Sequence, residues 1–152
     1  MKRLMCTLPL VLLPALAAAQ DNIVTVQDCD WQASARNIVE PWEAHSRTFS
    51  NGKTRLALMD TIEPAAAWAW MLVLSPPYSE LGDRQCKVIG LNGMGFAGME
   101  FGALNADYDP ATGLTFTVPV NVYDPDTAMP ATATLRFTLN QATGAIDGDL
   151  LP

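Results

Sequence analysis

Four Asp-x-Asp pairs, one histidine and four tryptophans hold most of the chemistry this chain can offer. The pairs are Asp28/Asp30, Asp107/Asp109, Asp124/Asp126 and Asp147/Asp149. Carboxylate oxygens at alternate loop positions can reach one calcium ion, and Asp107 with Asp109, or Asp124 with Asp126, would be the ligands. None of the pairs lies in a twelve-residue calcium loop closed by glutamate. Aspartate also belongs in turns for its own reason, since its carboxylate accepts hydrogen bonds from nearby amides. Solvated turns are the simpler reading, and calcium is the one cofactor the pattern suggests. Paired carboxylates can also divide acid and base roles in a hydrolase, which is the enzymatic alternative.

His45 follows Trp42-Glu43 and can serve as a general base where a carboxylate orients it. The chain has no Gly-x-Ser-x-Gly elbow to supply a nucleophile, so a rim or surface histidine is the plainer reading. Trp68 and Trp70 form an i, i+2 pair that can stack on a sugar or grip an apolar ligand. With Trp42 and His45 they are the candidate ligand-binding residues. Packing in the core is the competing reading, because their neighbours are so apolar. Gly93-x-Gly95-x-x-Gly98 has the spacing of a dinucleotide fingerprint. That fingerprint must open a helix, yet Asn105 and Asp107-Tyr108-Asp109-Pro110 stop any helix within about two turns. A glycine-loosened strand fits better, with Met99, Phe101 and Ala103 on one face and Glu100 on the other.

The elements that must position these residues follow a leader. Lys2-Arg3, an apolar stretch at 4–16 and Ala17-Ala18-Ala19 before Gln20 read as a secretory signal peptide over 1–19. Residues 20–152 then form one domain, periplasmic or secreted, with no later segment apolar enough to span a membrane. Removing Lys2 and Arg3 from the nine basic residues leaves seven against 16 acidic ones. Such an acidic chain is soluble and repels nucleic acid and anionic membranes. Cys29 and Cys86 are the two cysteines left, and in an oxidising compartment they should pair as a disulfide.

Residues 65–74, Ala-Ala-Ala-Trp-Ala-Trp-Met-Leu-Val-Leu, are uncharged and flanked by Glu63-Pro64 and Ser75-Pro76-Pro77. A short apolar run between breakers predicts a strand covered on both faces. Trp68, Trp70, Leu72 and Leu74 should share the face toward the deep core, and Ala67, Ala69, Met71 and Val73 the other. Trp31, Ala35, Ile38 and Trp42 recur at helical spacing, predicting one short helix that starts near Trp31 and ends near Val39 before Pro41. Residues 46–50 and 53–62 read as a hairpin about Asn51-Gly52, with Leu56 and Leu58 inward. Residues 75–84 read as a loop, and 86–91 as a further strand. Leu114, Phe116, Val118, Val120 and Val122 alternate with polar neighbours, as do Ala133, Leu135, Phe137 and Leu139. Pro119 cannot donate to a ladder and should face an edge or bulge. Asp109-Pro110-Ala111-Thr112-Gly113 and Asn140-Gln141-Ala142-Thr143-Gly144 have the composition of hairpin turns ending on a left-handed glycine.

Four segments also resemble short exported proteins of uncharacterised function in alphaproteobacteria. They are Leu72-Val73-Leu74-Ser75-Pro76-Pro77-Tyr78, Gly95-Phe96-Ala97-Gly98, Asp109-Pro110-Ala111-Thr112-Gly113-Leu114 and Leu139-Asn140-Gln141-Ala142-Thr143-Gly144. The resemblance implies export and lends no activity, cofactor or catalytic residue. Together these readings predict a mainly β domain, an antiparallel meander of about seven or eight strands in a sandwich or small barrel, with one short N-terminal helix. The function expected is a non-catalytic periplasmic or secreted binding or accessory protein, its partner a small apolar or carbohydrate ligand or another protein. The alternatives are the carboxylate hydrolase and an inhibitor of a secreted enzyme.

Overall fold

Wherever the hydrophobic period is two, the chain is a strand. The computed structural model describes residues 22–152, and the leader expected at 1–19 lies outside them. Ten strands follow in order: β1 Val24–Asp28, β2 Ser46–Phe49, β3 Thr54–Asp60, β4 Ala69–Tyr78, β5 Arg84–Leu91, β6 Gly98–Met99, β7 Asn105–Asp109, β8 Gly113–Asp124, β9 Met129–Leu139 and β10 Ile146–Leu151. They make two antiparallel sheets. The first has the order β1-β5-β4-β3-β2; the second runs β10-β9-β8-β6, with β7 also pairing β8.

The sheets face each other over one core, a sandwich filled mainly by alternate residues of the longer strands. Leu56, Met71, Val73 and Ile89 of the first sheet meet Phe116, Val118, Leu135 and Phe137 of the second. The Phe116 and Phe137 rings stack with centroids 4.9 Å apart, and Phe49 meets Phe116 edge-on at 5.0 Å. Leu56 and Leu58 point inward as their parity predicts, and β8 alternates buried and half-buried residues over nearly its whole length.

β4 has two covered faces, but its deep core lies on the side opposite to the one expected. Ala69, Met71 and Val73 enter the inter-sheet core. Trp70 and Leu72, with Leu74 beside them, pack in a separate outer layer with Ala57, Met59 and Val88. The long phenylalanine and leucine side chains of the second sheet fill the sandwich, so the slimmer row of β4 fits there. Trp68 leaves the row of Trp70 and packs against the inter-sheet core, partly buried.

A roof covers the outer layer, and a disulfide holds it down. Cys29 and Cys86 are joined, their Cα atoms 5.3 Å apart across 57 positions of sequence. Closing such a loop stabilises a fold by roughly 4 kcal/mol in the chain-entropy treatment. The helix expected from Trp31 to Val39 does not form. Two single 3-10 turns, Trp31–Ala33 and Ala35–Asn37, stand there with Ser34 extended between them. Asp30 makes no side-chain cap. The Asn37 side-chain amide donates to the carbonyls of Trp31 and Gln32 at 3.0 and 3.1 Å, removing acceptors that a helix needs. With Pro41 ahead, the few residues left are too short to hold a helix against that competition. The expected apolar stripe is turned outward as a result: Trp31, Ile38 and Trp42 are exposed, while Gln32 and Asn37 are buried.

Two further differences have local causes. β4 continues through Ser75-Pro76-Pro77 to Tyr78, where a loop was expected, because a bulge between Ser75 and Tyr78 takes up the prolines. The glycine-rich stretch makes only the two-residue β6 before a 3-10 turn at Phe101–Ala103. Met99 and Phe101 are buried as expected, but Leu104 replaces Ala103 inside. Pro119 explains this break. Its carbonyl accepts from Glu100 N at 2.9 Å, so its missing donor also points to the β6–β7 edge, where the partner leaves the ladder. Arg47 of β2 clamps the departing turn, donating to the carbonyls of Leu104 and Gly102 at 2.7 and 2.9 Å.

Candidate functional site

Side-chain size along β9 decides where the sandwich stays open. Its inward row reads Ala131, Ala133, Leu135, Phe137, Leu139, small at one end and large at the other. The last three are fully buried. At the alanine end the facing elements are small as well, since Ala66 and Ala67 lead into β4. The result is a cleft of about 740 Å³ between the sheet ends, a size typical of small-molecule sites.

Each wall of the cleft has a local origin. Asn92 and Gly93, with φ of 52° and 79°, turn the chain tightly after β5. Leu91 N donates to Met94 O at 2.7 Å and Met94 N returns a bond at 2.9 Å, closing a two-residue hairpin. Asn92 Oδ1 accepts from Ile23 N at 2.9 Å, which ties the start of β1 to the same wall. The chain then crosses between the sheets: Phe96 exchanges two backbone bonds with Ala69, and Ala97 N donates to Asn121 O. Gly95 sits at this crossing for want of room. A Cβ there would overlap the Ala67 carbonyl oxygen and stand 2.8 Å from Trp70 Nε1. The glycine spacing that resembles a nucleotide fingerprint therefore serves a turn and a close crossing.

The opposite wall is the β8–β9 hairpin, with Val122, Tyr123, Asp124 and Asp126 on the cleft. Asp124 Oδ1 accepts from Asp126 N at 2.9 Å, and Oδ2 accepts from Thr127 Oγ1 at 3.0 Å. The Asp126 amide first, then the Thr127 hydroxyl, hold the Asp124 carboxyl below its ordinary pKa against a small opposing desolvation. The floor is apolar, formed by Leu91, Val122, Ala133 and Leu150.

The residues singled out in the sequence are dispersed. Asp124 and Asp126 line the cleft, whereas Asp107 borders a shallower lateral groove of about 500 Å³ between β2 and β7. Asp109 Oδ1 accepts from Ala111 N at 2.6 Å in the turn after β7, and Asp107 Oδ1 accepts from Tyr108 N at 3.2 Å within the strand. Asp28 pairs with Lys87, and Asp149 with Arg136. Among the described residues no three His, Cys, Asp or Glu side chains converge as a metal site. His45 Nδ1 lies 3.0 Å from the Pro41 carbonyl, on the roof with Trp42. Trp68 and Trp70 line neither the cleft nor the groove. Trp70 is buried behind Gly95, and its Nε1 has no hydrogen-bond partner among the described residues. The sequence expectations included Asp124 and Asp126 of one wall only as calcium ligands, and did not include the cleft itself. The Asn92-Gly93 dipeptide and the alanine end of β9 are the signals that mark its walls.

No protein family, curated protein or solved structure matches this chain.

Proposed function

We propose that this is a non-catalytic binding protein, exported and then cut near Ala19-Gln20, that holds a small ligand with an apolar body in the cleft between its sheet ends. One observation carries the reading: an interior packed by Phe116, Phe137, Leu135 and Leu139 opens into the larger cleft where Ala131 and Ala133 stand in place of larger residues. A sandwich with no ligand to hold gains by filling such a space with larger side chains. The disulfide suits an oxidising compartment, and kinship with short exported alphaproteobacterial proteins belongs to the same proposal. The hydrolase alternative draws little support from the geometry, because Asp107, Asp109 and Asp124 are exposed or half-exposed and accept hydrogen bonds from neighbouring amides and a hydroxyl.

Native mass spectrometry of protein recovered from its own cells tests the proposal. Wild type should carry a small organic adduct, and Ala133→Trp, which fills the floor, should not. The same spectrum for both proteins, with or without adducts, would count against the cleft.

A further inference from the structure

The polar groups that line the cleft are one-sided in charge. They are Asn22, Asn92, Asp124 and Asp126 beside the Tyr123 ring, and no lysine, arginine or histidine is among them. Four of the seven lysines and arginines among the described residues are engaged elsewhere. Arg84 donates to the carbonyls of Lys53 and Gly52 at the opposite end of the sandwich. Arg47 is held by the turn at Gly102 and Leu104, Lys87 by Asp28 and Arg136 by Asp149. None of these reaches the rim to neutralise Asp124 and Asp126.

The rim is built to receive a positive charge. Asp124 is fixed by two donors, and a carboxylate with roughly four acceptor sites keeps others free. The adjacent Tyr123 also lines the cleft, and an aromatic ring attracts ammonium groups by its quadrupole. Below them the floor of Leu91, Val122, Ala133 and Leu150 is apolar. The acidic excess of the whole chain works in the same direction, concentrating cations and repelling anionic amphiphiles before contact.

We infer that the cleft selects organic cations, with an alkylammonium head at Asp124, Asp126 and Tyr123 and an apolar tail between the sheets. This rests on the proposal that the cleft is a ligand site, and it adds the sign of the ligand's charge. A primary amine and a quaternary ammonium share the chemistry used here.

Calorimetric titration of the exported protein with octylammonium, 1-octanol and octanoate separates the two claims. Octylammonium should bind at least about tenfold more tightly than octanol, and octanoate most weakly. Raising the salt should shrink that preference. Asp126→Asn should lower octylammonium affinity toward that of octanol and affect octanol binding far less. Asp126 offers only its backbone amide to the Asp124 turn, so this variant leaves that turn's hydrogen bonds in place. Equal affinity for all three compounds, or an octylammonium preference untouched by Asp126→Asn, would overturn the charge selection while leaving the ligand site standing. No binding of any of the three would overturn both.

Discussion

Trp70 and Asp124 show how single side chains are set by their surroundings. Trp70 lies under the roof, its ring close to Gly90 and its Nε1 close to Gly95, where any larger residue would collide with it. Trp70→Ala should cost about 3–5 kcal/mol in chemical denaturation, the range for emptying a large aromatic site. Its unpartnered donor detracts from the indole's contribution, so Trp70→Phe should cost clearly less than Trp70→Ala. Equal losses would contradict that packing. Asp124 gives a pH-dependent expectation. Its folded pKa is lowered, so its contribution is complete above the unfolded carboxylate value and disappears as pH falls through the folded one. Melting temperatures of Asp124→Asn should therefore fall less steeply than wild type below about pH 4. Parallel curves would show that the turn bonds add nothing. The cysteine pairing was legible at this scale, since two cysteines in a chain expected to be exported leave few alternatives. The inward Gln32 and Asn37 were not, because a side-chain amide that replaces backbone bonds leaves no mark on hydrophobic period.

Among elements, those whose order is local were read well. β8 and β9 pair from Leu114↔Leu139 to Asp124↔Met129, and both follow period-two alternation. The turns before β8 and after β9 each end on a left-handed glycine, Gly113 at φ 96° and Gly144 at φ 79°. Gly144 is confined as well as left-handed, since a Cβ there would stand 2.5 Å from Pro77 Cδ and 2.8 Å from Gln85 Oε1. Gly144→Val should lower stability by more than about 1 kcal/mol, and Gly113→Val should do likewise. Unchanged urea midpoints for both would refute the turn geometry. The roof segment was misread as a helix because helical spacing is only a pattern of side chains. Ser34, Asn37 and Pro41 decide against it through the backbone. β4 outran its expected end at Leu74 because a bulge between Ser75 and Tyr78 let the end of the strand absorb two prolines.

At the scale of the molecule, two sheets close over one core, and the cleft is the end at which that core runs out of large side chains. Period-two alternation and turn residues pointed to the β class, but the pairing of the two sheets depends on long-range contacts such as Phe96 with Ala69, which no local period announces. The Trp68/Trp70 pair drew attention as a ligand grip, and packing instead divides it between two layers. The size taper along β9 was present in the sequence as Ala131 and Ala133, and it gains meaning only once β8 and the β5–β6 turn are seen to face it. Methyl NMR of the protein titrated with 1-octanol tests the cleft most directly. Saturable shifts should appear at Leu91, Val122, Ala133 and Leu150 and be absent from the Val118 and Leu135 core; shifts scattered over other surfaces, or none at the cleft, would contradict the account.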